Sequence, residues 1–194
     1  MRISRKYRVA DWTALDFGAE DGWQRGVDIL ADRIKSRVLD IVRQFEGLEV
    51  AGFIVLAVDC LLIETLQQFR EGVAETPRWK GEEYFVKFLT ETRFRRFFDQ
   101  VSARKFYDHV RCGILHQSEV KGDSRVVIGR RSPLIERVDQ GNGLVVNRKV
   151  FHRELVLTCD EYLAELRNPA NADLREKFKR KMDHICRVGE DGMQ

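Results

Sequence analysis

Apolar side chains recur at three- and four-residue steps over much of the first 120 residues of this 194-residue chain. The first such segment runs from Trp23 to Phe45, and Gly47 follows it. The second, Val50 to Arg70, is apolar on nearly every side in its first half, as in the central helix of a bundle. The spacing predicts two long helices packed against other helices, followed by a loop over residues 73–81.

Helical periodicity resumes further along the chain. It predicts two helices between Tyr84 and Leu115, broken near Thr92 or Ser102. Two more helices are predicted over about residues 149–166 and 172–188, the last of them basic and amphipathic.

A change of pattern after residue 123 predicts β-structure. Three short segments there are rich in β-branched residues, and the sequence DQGNG at Asp139–Gly143 is typical of a turn. We expect a β-hairpin or a small meander. The strand segments are Ser124–Gly129, Leu134–Val138 and Leu144–Asn147.

The order of these elements favours a mainly α fold. It is typical of an up-and-down four-helix bundle with a small β-hairpin insertion and two further C-terminal helices. We expect one domain spanning residues 1–194, with the bundle at about 23–120, the hairpin at about 124–147 and the last helices at about 149–188.

Composition narrows the class of protein. The chain is 43% hydrophobic and 34% charged, as in ordinary globular proteins. Its four cysteines form no CxxC pair, which argues against a zinc ribbon or a disulfide framework. The longest apolar stretch, Val50 to Ile63, contains Asp59 and is too short to span a bilayer. We therefore expect a cytoplasmic protein with no membrane partner, no cofactor and no metal.

The most informative segment is FYDHVRCGILHQ, at Phe106–Gln117. On an ideal helix the five-residue step from Arg111 to His116 leaves the two side chains about 140° apart. Cys112 and His116, at i and i+4, share one face. The length of the arginine side chain still allows it to reach toward that face.

This segment resembles the R-x(4 to 6)-H signature of the HEPN superfamily, the higher eukaryotes and prokaryotes nucleotide-binding domains. The context supports the resemblance, because VDCLLIETLQQFREG at Val58–Gly72 is similar to HEPN second helices. The sequence RCGILH is similar to that of one group of mostly bacterial members. The resemblance covers about residues 25–120. The family usually has Asn, Asp or His directly after the arginine, where this chain has Cys112.

The resemblance implies an all-α bundle that forms a homodimer, with two Arg-His motifs facing each other across a basic cleft. In many members this arrangement is a metal-independent ribonuclease, used in toxin-antitoxin or phage-defence systems. Arg111 and His116 are the catalytic positions carried over, RNA is the expected substrate, and an antitoxin protein is a further expected partner.

The chemistry of the two residues agrees with this function. Cleavage of RNA by its own 2′-hydroxyl requires proton transfer, which His116 can perform because histidine titrates near neutral pH. Arg111 can donate two hydrogen bonds to phosphate oxygens and stabilise the developing charge. One Arg-His pair is half of such a site, so two copies would complete it.

Four other residues are predicted to support the site: Cys112, Glu64, Asp59 and His109. Glu64 and Asp59 lie in the most apolar helix, where an unpaired carboxylate is costly, so one of them should meet Arg111 or His116. A purely structural salt bridge of Arg111, with His116 at the helix end, explains the same residues. A zinc site on His109, Cys112 and His116 is a further alternative, although three ligands over two helical turns span about 10 Å.

The segment from Lys121 to Arg153 carries eight positive and three negative side chains. Such a segment attracts phosphate, although a solvated hairpin surface is an equally good interpretation. The side chains predicted to bind RNA are Lys121, Arg125, Arg130, Arg131, Arg137, Arg148 and Lys149.

Overall fold

The computed structural model describes residues 1–129, 132–138 and 141–188. Arg130 and Arg131, two of the predicted RNA-binding residues, lie outside the described residues. So do two positions of the predicted DQGNG turn, Asp139 and Gln140. Within the described ranges the chain is mainly helical with one small sheet, which confirms the mainly α class. Within these ranges no helix is long and apolar enough to cross a membrane.

The chain forms two compact units, each made of separate stretches of sequence. Among the described residues, those at 1–41, 68–75 and 159–188 form the first, and those at 42–67 and 76–158 form the second. The predicted bundle of residues 23–120 is therefore divided between them. Arg111, His116 and all four predicted supporting residues belong to the second unit.

The first unit begins with a short helix that the periodicity does not predict, α1 (Val9–Thr13). Trp12 of α1 is buried, and its ring packs edge-on against Phe178 with 5.6 Å between centroids. Its indole Nε1 donates to Asp183 Oδ1 at 2.8 Å. The N-terminal segment is thereby attached to the last helix, α9 (Ala172–Cys186), through a buried aromatic contact.

The predicted helix from Trp23 to Phe45 is helical throughout, but it begins earlier and is not uniform. It comprises α2 (Glu20–Ile34), a π-helical segment at Lys35–Leu39 and α3 (Asp40–Phe45). Glu20 accepts two hydrogen bonds of 2.7 Å from the buried guanidinium of Arg175. This ion pair joins the start of α2 to α9 and lowers the pKa of Glu20 to about 2.

The second unit contains the other predicted helices. The predicted break near Thr92 is confirmed, and Thr92 Oγ1 accepts from the backbone N–H of Phe94. No break occurs at Ser102, which lies inside a helix. The elements are a 3₁₀ turn at Glu49–Ala51, α4 (Gly52–Glu71), α5 (Gly81–Glu91), a 3₁₀ turn at Arg93–Arg96, α6 (Gln100–Lys105), a π segment at Phe106–Cys112, and α7 (Gly113–Gln117). The last four residues of α4 belong to the first unit.

Aromatic side chains form much of the core of this unit. Phe106 stacks on Phe151, with centroids 4.9 Å apart and rings within 3° of parallel, and on Phe85 with centroids 5.9 Å apart. All three rings are fully buried. Phe106 opens the π segment that carries Arg111, so these contacts fix the helix on which the motif lies.

The sheet confirms the predicted hairpin and corrects the meander. Its strands are β1 (Arg125–Val127), β2 (Ile135–Arg137) and β3 (Leu144–Asn147), in the order β1-β3-β2. β2 and β3 pair antiparallel, but β1 runs parallel to β3 and does not pair with β2. The last helix of this unit, α8 (Arg148–Arg167), follows β3 without a loop and continues into the first unit.

Candidate functional site

The motif lies on one continuous helical stretch that departs from ideal α geometry. Residues 100–117 are helical without interruption, and Arg111 lies in the π segment while His116 lies in α7. Segments of π-helix are rare and occur frequently at functional sites. The angle expected for the two side chains on an ideal α-helix therefore does not strictly apply.

Arg111 is held by two contacts. Its Nη2 donates to Glu64 Oε2 at 2.9 Å, and its guanidinium lies 5.3 Å from the centre of the Tyr107 ring. The side chain is 17% exposed, and its buried Nε has no hydrogen-bond partner. Burial opposes the charge, but the bond to Glu64 and the nearby Tyr107 outweigh it and raise the pKa of Arg111.

Glu64 confirms the expectation that a carboxylate of the apolar helix meets Arg111. Its second oxygen, Oε1, accepts a hydrogen bond from Thr76 Oγ1 at 3.0 Å. Both oxygens of the Glu64 carboxylate therefore accept a hydrogen bond. The bond from Thr76 fixes the carboxylate, and the carboxylate in turn fixes the guanidinium of Arg111. An arginine held in this way can present its remaining N–H groups to a phosphate at little entropic cost.

His116 lies in the last turn of α7 and is exposed. Among the described residues it makes no hydrogen bond or ion pair. The helix ends at Ser118, which adopts a left-handed conformation with φ 55°. An exposed imidazole is free to exchange protons with a bound substrate.

Cys112, the residue after the arginine, is half-buried with a free thiol. The thiol lies against Tyr107, and burial together with Cys112 raises the pKa of that tyrosine. Cys112 therefore packs beside the ring that supports Arg111. Cys112 is thus a neighbour of Arg111. Among the described interactions, it has no direct contact with His116.

His109 has a structural environment. Its ring is buried, and Nδ1 lies 3.2 Å from Ser124 Oγ. The backbone N–H of Lys121 donates to the carbonyl of His109, so this residue ties the loop after α7 back to the helix. Over the described part of the chain no group of three or more His, Cys, Asp or Glu side chains could hold a metal ion. The zinc alternative with Cys112 and His116 is not supported.

Asp59, the other predicted carboxylate of α4, meets neither Arg111 nor His116 in the described contacts. Asp59 is fully buried, and its Oδ1 lies 2.7 Å from Nδ1 of His152. The Nε2 atom of His152 lies 3.3 Å from Glu46 Oε1. His152 stands alone in the sequence, 93 residues after Asp59, so no local pattern could have indicated this pair.

The described members of the predicted RNA-binding set do not form one free basic track. Lys121 Nζ is paired with Asp108 Oδ1 at 2.7 Å, and Arg137 is paired with Asp99. Arg148 is 1% exposed and cannot be part of a solvated surface. The exposed cations among the described residues of this set are Arg125, Arg137 and Lys149.

Comparison with known protein families, curated proteins and solved structures found no match to this chain.

Proposed function

We propose that this chain is a metal-independent endoribonuclease of the HEPN type that acts as a homodimer, with Arg111 on the scissile phosphate and His116 as the proton-transfer group. The HEPN-like four-helix bundle is part of this proposal, as is a role in toxin-antitoxin or phage-defence systems. The observation that carries it is an uncovered apolar stripe on α4 that ends at the carboxylate holding Arg111.

The stripe consists of Ile54, Ala57 and Leu61, which follow one face of α4. Ile54 is 55% and Leu61 57% exposed, although the sequence predicts a helix buried on nearly every side. Glu64 lies three residues after Leu61 and therefore on the same face. Apolar side chains in a row on an otherwise buried helix are typical of an interface.

A two-fold dimer formed through this stripe would set two Glu64–Arg111 pairs near the dimer axis. Each copy then contributes one phosphate-binding arginine and one exposed histidine. This supplies the two proton-transfer groups and the charge stabilisation that cleavage by the 2′-hydroxyl requires.

The test is cleavage of labelled RNA by the purified full chain in EDTA. We expect His116→Ala to leave RNA affinity nearly intact and to lower the rate by ~10²- to 10⁴-fold, as for the loss of a general acid or base. Arg111→Lys keeps a charge for Glu64 but loses the planar fork, so it should weaken both binding and rate. His184→Ala, at an exposed histidine of α9, is the matched control and should change neither.

Products should end in 2′,3′-cyclic phosphate, because the 2′-hydroxyl is the nucleophile. Replacing that hydroxyl with hydrogen beside the cut should abolish cleavage and preserve binding. Cleavage of DNA as readily as RNA, or a requirement for added divalent metal, would contradict the mechanism.

A second function, binding of RNA, nucleotide or a protein partner without cleavage, is favoured by the Arg111–Glu64 ion pair itself. The pair neutralises much of the charge of the guanidinium, and 17% exposure leaves a limited surface for a phosphate. RNA binding that depends on salt concentration, with no cleavage by the wild-type chain, would establish this function instead.

A further inference from the structure

A cavity of about 640 Å³ lies in the second unit, beside the first turns of α8. Four of its lining side chains are cationic, Arg43, Arg148, Lys149 and Arg153, whereas Glu46 is the one carboxylate in the described lining. This volume lies within the range of small-molecule sites. The excess of positive charge indicates an anionic ligand.

Among these residues, Arg148 gives the strongest indication of an anionic ligand. It is 1% exposed, and its Nη2 donates to the backbone carbonyl of Leu48. Its other two nitrogens, Nε and Nη1, are buried and have no hydrogen-bond partner. Burying unpaired donors of a charged group costs free energy. A shift of the guanidinium toward the cavity would let an anion accept hydrogen bonds from these nitrogens, which would remove that cost.

The acidic groups around Arg148 do not supply these bonds. Glu46 Oε1 is directed to His152, and Glu49 acts on Arg148 through its charge without a hydrogen bond to it in the described contacts. Asp59 lies behind His152 and is bonded to it. The cavity therefore keeps a cationic lining even with its neighbouring carboxylates in place.

His152 adds an oriented donor to the same lining. Because Asp59 Oδ1 holds Nδ1 at 2.7 Å, the ring is fixed with Nε2 on the side of Glu46. A ligand phosphate that displaced Glu46 would find this N–H already aligned. Orientation of a histidine by a buried carboxylate is a common way of preparing a ligand-binding imidazole.

We propose that this cavity binds a nucleoside phosphate, with its phosphate groups held by Arg148, Arg43 and Lys149. The size of the cavity exceeds what inorganic phosphate would fill. Val55 and Val156 supply apolar lining against which a base or sugar can pack. The site is separate from the Arg111–His116 motif, so the inference does not rest on ribonuclease activity.

The experiment is calorimetric titration of the wild-type chain with the four ribonucleoside diphosphates, with the corresponding nucleosides, with inorganic phosphate and with a short RNA lacking terminal phosphates. We expect at least one diphosphate to bind, its nucleoside not to bind, and inorganic phosphate to bind at least about tenfold more weakly.

Arg43→Gln and Lys149→Gln remove exposed charges and should each weaken nucleotide binding by about tenfold, as for the loss of a charge-assisted hydrogen bond. Arg125→Gln removes an exposed arginine of β1 outside the cavity and is the matched control. Its affinity should equal that of the wild type. His116→Ala should also bind normally, which separates this site from the proposed ribonuclease.

Three results with the nucleotides and phosphate would overturn the proposal. They are no binding of any diphosphate, binding of inorganic phosphate as tight as that of the nucleotides, and binding that Arg125→Gln weakens as much as Arg43→Gln does. Binding of the RNA alone would also overturn it, because the cationic lining would then belong to a nucleic-acid surface.

Discussion

The side chain of Arg111 forms a structural ion pair and can also donate hydrogen bonds to a phosphate. Its bond to Glu64 offsets the cost of partial burial, and removal of either partner would leave an uncompensated charge. The same bond leaves other N–H groups of the guanidinium available for a phosphate. A variant at Glu64 would therefore change both folding and function.

His152 and Asp59 predict a pH dependence of stability. Burial opposes protonation of His152, but the bond to Asp59 and the charges of Asp59 and Glu46 raise its pKa above 6.5. Burial also raises the pKa of Asp59, against the effect of His152. Both shifts mean that the folded chain binds protons more tightly than the unfolded chain. The contribution of His152 is therefore complete below about pH 6.5 and is lost as the pH rises through its folded-state pKa. The contribution of Asp59 is complete only below about pH 3.8 and is lost as the pH rises through its own folded-state pKa.

We expect the free energy of unfolding, measured by urea titration, to fall as the pH is raised from 6 to 8. Asp59→Asn removes the carboxylate that favours the imidazolium and should flatten this slope. His184→Gln, at an exposed histidine, should keep the slope of the wild type. A wild-type stability that rises over this interval would contradict the assignment.

The helical stretch from α6 to α7 depends on a glycine near its C-terminal end. A Cβ on Gly113 would lie 2.5 Å from the backbone oxygen of Glu119 and 3.2 Å from the backbone nitrogen of Lys121. The chain folds back over the helix there, and the N–H of Lys121 reaches the carbonyl of His109. The close approach of backbone to helix requires the absence of a side chain.

Gly113→Ala should therefore destabilise the chain, although alanine is the better helix former by about 1 kcal/mol. The clash with backbone atoms outweighs that gain, and we expect a net loss of about 1–3 kcal/mol in urea unfolding. Gly47→Ala is the matched control, because its Cβ would meet no atom within 4 Å. Equal stability of Gly113→Ala and the wild type would show that the loop moves away without cost.

The proposed dimer would form through the face of α4 that the monomer leaves uncovered. Ile54 and Leu61 are 55% and 57% exposed, so covering each of them completely contributes roughly half of the about 1.5–3 kcal/mol of a fully buried side chain. In a two-fold dimer each of these residues occurs once in each copy, so one substitution changes the interface at two places. Together they are enough to decide between monomer and dimer at micromolar concentration.

We expect the wild-type chain to be a dimer by light scattering at micromolar concentration. Ile54→Lys combined with Leu61→Arg should give a folded monomer that lacks RNA cleavage. Val188→Lys, at an exposed apolar residue outside α4, should remain dimeric. A monomeric wild type, or a dimer that persists in the double variant, would disprove this interface.

Local pattern was sufficient for most of the helices and for one strand pair. The spacing of apolar residues predicts α2 to α9 to within a few residues, because each helix must bury one face of its own sequence. The β2–β3 hairpin follows from the turn residues between its strands. α1 and the π segments were not predicted, since the former depends on burial of Trp12 against Phe178 and the latter on small local changes in hydrogen bonding.

The candidate site also has a part that the local sequence predicts and a part that only the tertiary structure decides. Arg111, His116 and their common helix can be identified from twelve consecutive residues, and a carboxylate partner follows from the cost of leaving Glu64 unpaired in an apolar helix. The pairing of Asp59 with His152, the burial of Arg148 and the parallel pairing of β1 with β3 join positions that are distant in the chain. Periodicity describes only neighbours along the sequence, whereas these contacts depend on which surfaces pack together in three dimensions.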